Sequence, residues 1–279
     1  MNLPALDVLT HYASLSTPDT QLPPDVYLLH DPWTLTIFDK FPKAKYHFLI
    51  LPRVPSSSSS DDAGHGNDNQ DDESLSAISP RSLISLHSLL TTTTPAEALA
   101  VLRHLEETSL EVVDMVKDEM MKTEGFEWTV EVGFHAVPSM RGLESTKLTP
   151  AVAMKRHLHL HVISTDLVSP AMKTKKHYNS FHPTLGFFLP ISSLIDSLQS
   201  ILPSTITSPD SSAPFNLAQY CEPSGPLPRY EPLLKSRLTC CHCREEFGNM
   251  PALKRHLEEE WEGVRKKGVG RYGLARKKV

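Results

Sequence analysis

Polar and apolar residues alternate along His157, Leu158, His159, Leu160, His161 and Val162. A period of two belongs to a half-buried strand, so His157, His159 and His161 share one face while Leu158, Leu160 and Val162 share the other. Successive histidines on such a face stand about 7 Å apart. The same reading predicts strands at 26–30 and 33–38 about an Asp31-Pro32 turn, at 46–51 before Pro52, and at 128–134. Phe187-Phe188-Leu189 adds an edge strand. Helical spacing is weak over 1–15 (Leu6, Leu9, Ala13). A second helix is expected from Ser79-Pro80 to about Leu90, with proline in its first turn. Thr94-Pro95-Ala96-Glu97 is a capping-box pattern opening a long helix, with Leu102, Leu105, Val112, Val113, Val116 and Met120 on one side.

Between 55 and 79 the composition falls to Ser, Asp, Gly and Asn, too little apolar area to offset the entropy of ordering; a disordered insert is expected. It holds Asp61, Asp62, Asp68, Asp71, Asp72 and Glu73 and no Lys or Arg, which makes the net charge of −5 misleading. Basic groups collect elsewhere: Lys147, Lys155, Arg156, Lys173, Lys175 and Lys176 around the histidine strand, and Arg265, Lys266, Lys267, Arg271, Arg276, Lys277 and Lys278 in the tail. That asymmetry suits a polyanion-binding protein. The tail fits phosphate contacts, a nuclear-import signal, or both. No run of 18 apolar residues and no basic start leading into an apolar stretch is present, so a soluble, non-secreted protein is expected. Four cysteines, three of them within 240–243, do not make a disulfide framework and fit a reducing compartment.

The three histidines admit three readings: surface residues on a sheet, a metal site without a nearby carboxylate or cysteine, or a nucleophilic imidazole flanked by two that set its tautomer. The pattern His157-φ-His159-φ-His161-φ-φ resembles the signature of the histidine-triad (HIT) nucleotide hydrolases and transferases. "KKHYNSF" (175–181) and "VGFHAVPSM" (132–140) are similar to the aprataxin branch of that superfamily. The resemblance runs from about Val26 to Trp261, broken by the acidic insert and by 141–156, which is longer than the family pattern. It implies an α+β HIT fold, a five-stranded antiparallel sheet with packed helices, followed by a small zinc finger.

Cys240-x2-Cys243-x12-His256-x3-Glu260 has zinc-finger spacing with glutamate in place of the usual second histidine. His256 and Glu260, at i and i+4 after Pro251, share one face of a helix, and zinc accepts S, N and O donors. Such binding contributes roughly 10–16 kcal/mol in small fingers, enough to fold a segment without its own core. Cys241 and His242 lie inside the motif and are competing ligands by sequence; Cys221 has no partner at useful spacing. The cluster resembles the Cys-Cys-His-Glu finger of fungal aprataxin-like proteins. Expected divisions are an N-terminal segment 1–24, a HIT domain 25–190, a linker 191–232, the finger 233–264 and a basic tail 265–279.

What the resemblance implies for chemistry is removal of AMP from a 5′-adenylated DNA end, with His159 as nucleophile, His157 and His161 orienting it and stabilising charge, and His135 beside the leaving phosphate. It assigns Asp39 to the ribose, Lys43 and Ser139 to the phosphates and pocket loop, and Lys175, Lys176, His177, Asn179 and Ser180 to DNA, where a basic pair beside aromatic and amide groups suits a phosphate backbone. Zinc is structural and no metal is needed for chemistry. The partners are DNA with 5′-adenylated ends or nicks, with AMP as product and no membrane; the protein is a monomer of the nucleus, with the cytoplasm as a second location. No forkhead-associated motif is read ahead of Val26, so phosphopeptide docking is not expected. Two rivals stand beside this: a general HIT hydrolase of dinucleoside polyphosphates or AMP-amine adducts, and a noncatalytic zinc-finger DNA-binding protein.

Overall fold

A computed structural model describes residues 8–54, 78–137, 157–202, 215–222 and 225–267. Most of the acidic insert, the whole 141–156 insertion, Ser139 and the tail beyond 267 lie outside the described residues. The chain opens with helices α1 (Val8–Ala13) and α2 (Pro18–Gln21), then β1 (Tyr27–His30), β2 (Thr34–Phe38) and β3 (His47–Pro52). The Asp31-Pro32 turn forms because Asp31 Oδ1 accepts from the Trp33 and Thr34 N–H groups, both at 2.6 Å.

The helix expected from 79 to 90 divides in two. A 3-10 turn at Ser82–Ile84 is followed by α3 (Leu86–Thr92), which Ser85 caps by accepting from Ser88 N–H. The break leaves the Leu83 carbonyl free of helical pairing, and it accepts the Leu158 N–H at 2.6 Å. The long helix α4 (Pro95–Thr123) carries the full Thr94/Glu97 capping box and buries Leu102, Leu105, Val112, Val116 and Met120. Then follow β4 (Val130–His135), β5 (Leu160–Ser164), α5 (Lys175–Phe181), β6 (Phe188–Pro190) and α6 (Ile191–Ser200). The short helices α7 (Leu217–Tyr220) and α8 (Leu227–Tyr230) lead to β7 (Leu238–Thr239), β8 (Glu246–Phe247) and α9 (Met250–Lys267).

All pairs in the main sheet are antiparallel, in the order β1-β2-β3-β5-β4-β6. The five expected strands are present, and the 187–189 edge strand makes six. Leu158, Leu160 and Val162 pack with α4 on one side of the sheet. On the other, Ile163, two residues beyond His161, joins Phe181 and Phe188 and the finger residues Leu238, Leu253 and Leu257 in a second core. The segment expected as a linker is packed where described: Phe215 and Tyr220 are buried, and Tyr220 donates to the Ala136 carbonyl at 2.8 Å. The finger thus shares cores with the main sheet instead of hanging from a tether. Among the described residues no helix is long and apolar enough to cross a membrane.

Candidate active site and metal centre

Only the second half of the triad stretch pairs as a strand. His161 stands opposite Leu49 of β3 and Gly133 of β4, while His157 and His159 lie just before β5. Each ring has its tautomer fixed by a partner of known polarity. His157 Nε2–H donates to the Pro52 carbonyl (2.6 Å), and His159 Nδ1–H donates to the carbonyl of His157 (2.9 Å). A neutral imidazole protonated at Nδ1 carries its lone pair on Nε2. His159, half-buried, therefore carries its lone pair on Nε2.

A fourth histidine completes the set. His47 opens β3, and its Nδ1 accepts the Lys43 backbone N–H at 3.1 Å. Asp39 Oδ2 lies 3.4 Å from the same nitrogen, but an amide N–H can only donate, so Nδ1 is the acceptor and the carboxylate acts through its charge. His47 Nε2–H then donates to His161 Nδ1 (3.0 Å), which puts the remaining His161 proton on Nε2. That atom is buried without a hydrogen-bond partner, as is Nε2 of His135 at the end of β4. The His135 and His161 rings lie 4.5 Å apart, and Phe181 of α5 packs against both and against His47, at 4.5, 5.1 and 5.2 Å. Two buried, unpaired ring nitrogens beside a nucleophile are a natural seat for anionic oxygens. His47 uses both nitrogens in this relay, so the proximity of Asp39, His47 and His161 reads as a hydrogen-bond chain and not a metal cage.

Burial is the main cause of every pKa shift here. His47 and His157 are pushed down to about 4, His135 and His161 well below the usual histidine value, and His159 is lowered. All five are neutral at pH 7, and an arriving phosphate would favour protonation. Asp39 Oδ1 accepts the Phe41 N–H (2.7 Å), and the Lys43 ammonium folds onto the Phe41 carbonyl. His47 was not recognised as a site residue from sequence. A polar residue opening an otherwise apolar strand was the signal, but its partner depends on sheet register.

The DNA candidates separate. "KKHYNSF" is a helix, α5, whose cap Thr174 accepts from His177 N–H. Lys175 and Lys176 are exposed and His177 is half-buried. Asn179 and Ser180, expected at DNA, turn inward with the helical period. Asn179 is wholly buried, its Nδ2 lying within 3.4 Å of the carbonyls of Leu233, Leu234 and Ser236, and Ser180 Oγ donates to the His177 carbonyl.

At the finger, the ligand atoms of Cys240, Cys243, His256 and Glu260 all fall within 4.8 Å of one another. Cys243 Sγ is 3.2 Å from His256 Nε2, and Cys240 Sγ is 3.7 Å from Glu260 Oε2. The Cys240 thiol is held down to about 4, first by the Cys241 thiol, against desolvation, then by backbone N–H groups; burial, then the Cys240 charge, raises Glu260. A thiolate crowded against a carboxylate fits a cation, and the donor set fits zinc. Cys241 and His242 do not converge on it. His242 Nε2–H donates to the Thr165 carbonyl (2.9 Å), and the Cys241 N–H donates to the Tyr178 hydroxyl (2.9 Å). Both tie the finger to the sheet domain.

The site thus combines an antiparallel sheet bearing a set of histidines with a Cys-Cys-His-Glu cluster. The profile of the C2HE / C2H2 / C2HC zinc-binding finger family matches residues 184–263. Aprataxin of Gallus gallus is 29% identical over 238 residues, 85% of this chain and 52% of the relative. The aprataxin-like protein of Schizosaccharomyces pombe is 26% identical over 87% of this chain and 77% of the relative. The crystal structure of aprataxin ortholog Hnt3 in complex with DNA superposes with a TM-score of 0.54 at 23% identity, covering 95% of this chain and 98% of that one. The chain is similar in sequence to aprataxins and in fold to Hnt3. It spans about half the length of the vertebrate aprataxins it matches.

Proposed function

We propose that this chain is a DNA 5′-adenylate hydrolase, acting on phosphoanhydride bonds in the repair of abortive ligation ends. The reading is carried by the tautomer of His159, whose Nδ1–H is committed to the His157 carbonyl so that Nε2 is a neutral nucleophile. Its lone pair attacks the α-phosphorus of the bound AMP group, and the bond to the DNA 5′-phosphate breaks, that phosphate leaving as an anion. The adenylyl-histidine is then hydrolysed by water, which releases AMP and restores the imidazole. The buried Nε2 atoms of His161 and His135 supply contacts to the nonbridging and leaving oxygens, with His47 fixing the tautomer of His161. Asp39 is assigned to the ribose hydroxyls, and Lys43, together with Ser139 outside the described residues, to the phosphates. Lys175, Lys176 and His177 contact the DNA backbone. Zinc on Cys240, Cys243, His256 and Glu260 is structural, and the protein works as a monomer in the nucleus. The complex of Hnt3 with DNA supports the substrate class.

Single-turnover AMP release from a 5′-adenylated nicked duplex, beside diadenosine tetraphosphate at equal concentration, tests this. The nick is expected to be preferred, with turnover lost by at least roughly 10³-fold in His159→Ala, in line with loss of a covalent nucleophile. Equal turnover of both substrates would leave a small-nucleotide hydrolase instead.

A further inference from the structure

Loop 39–45 carries Asp39 and Lys43 and leads into His47, so its position sets three members of the site. The Asp39 and Lys43 contacts with Phe41 are local, and the Asp39 and Lys43 N–H groups bond the His47 carbonyl and Nδ1; further restraints come from Glu124 just after α4, from the segment after β5 and from the finger. The Lys45 N–H donates to Asp166 Oδ2 (3.0 Å), and Ser169 Oγ donates to the Pro42 carbonyl. Ser169 is in turn fixed from the finger: Lys254 of α9 donates from Nζ to its carbonyl at 3.0 Å. Further along α9, the Trp261 ring lies 4.2 Å from the Lys45 ammonium, which also pairs with Glu124 at 3.2 Å. Ala44, 2% exposed, is packed in the same core as Leu253 and Leu257 of that helix. Every third or fourth residue of one face of α9 (Leu253/Lys254, Leu257, Trp261) thus bears on the loop or its support.

We infer that α9 is a positioning element for loop 39–45, with Lys254, acting through Ser169, as its principal positioning residue; the finger then acts on small nucleotides too short to touch it. A zinc ion would join this arrangement through His256 and Glu260, which sit on α9 between and beside those contacts. That the restrained loop is a nucleotide loop rests on the proposed function; that α9 restrains it does not.

Hydrogen exchange of the backbone amides of 39–47, read without nucleotide on the full zinc-loaded chain, separates the two. Lys254→Met keeps the aliphatic stem and removes the donor. It is expected to speed exchange in 39–47 about fivefold or more with zinc content unchanged; Lys254→Arg should restore slow exchange, and Arg255→Met, an exposed neighbour, should not alter it. Zinc-stripped protein should show faster exchange in 39–47 together with α9. In parallel, Lys254→Met should raise the KM for a small adenylated nucleotide about tenfold with kcat nearly unchanged. Unaltered exchange in 39–47 in both Lys254→Met and the stripped protein would overturn the inference. Faster exchange in a chain that neither binds nor cleaves adenylates would uphold the restraint and remove the proposed function.

Discussion

Imidazoles held neutral by burial make stability depend on pH in a defined direction. In the unfolded chain a histidine takes up a proton near pH 6.5, whereas His47 and His157 resist it to about 4 in the fold. As pH falls, the unfolded state therefore binds protons first, and stability is full above about 6.5 and lost progressively toward 4. The gap between those two values corresponds to roughly 3 kcal/mol for each of these rings at the acid limit, with His135 and His161 adding in the same sense. Denaturant midpoints measured from about pH 7.5 to about 4.5 should fall steeply below roughly pH 6.5; a flat profile would mean the rings are solvated. A phosphate mimic that makes the rings cationic should shift this profile toward lower pH.

Among the elements, the β4–β6 contact is the most exacting. A Cβ on Gly133 would lie 2.5 Å from the Leu189 carbonyl oxygen and 2.8 Å from the Phe188 ring. Backbone cannot yield as a flexible side chain can, so β6 would have to move, and with it Phe188, which packs beside His135 and His161. Gly133→Ala is expected to cost about 1–3 kcal/mol, the range for overpacking. It should also lower single-turnover rates without loss of zinc. Unchanged stability in a urea titration would show that the edge strand is free to shift. The capping box of α4 and the 3-10 break ahead of α3 act at the same scale: one fixes the helix that covers the sheet, the other frees the carbonyl that holds Leu158.

Across the whole molecule, the finger and the histidine-bearing sheet belong to one cooperative unit. Trp261 of α9 packs on Phe126 and Trp128, at 5.1 and 5.0 Å, and Asn179 bonds the chain entering the finger. Chelation should therefore lower the melting temperature of the entire chain in one transition, with about 2–4 °C lost for each kcal/mol of metal contribution. The emission of Trp128 and Trp261 should change in the same step. A separate early transition that leaves the main one in place would indicate an independent finger.

The strands, the long helix, the alternating triad pattern and the spacing of the four finger donors were legible along the chain because each is a local property: a period of two, a period of 3.6, a cap, a ligand spacing. That His47 bonds His161 was not, since it depends on the β3–β5 register, which only the assembled sheet supplies. Assembly also turned Asn179 and Ser180 from an expected DNA surface into the core, because seven residues rich in polar groups formed a helix with one face against the finger. The fates of Cys241 and His242 were open for the same reason. Spacing offers four thiol and imidazole donors within 240–243. Only the packing of the sheet domain against one side of that turn directs the Cys241 thiol and the His242 ring toward the Thr165 carbonyl and leaves two donors for a metal.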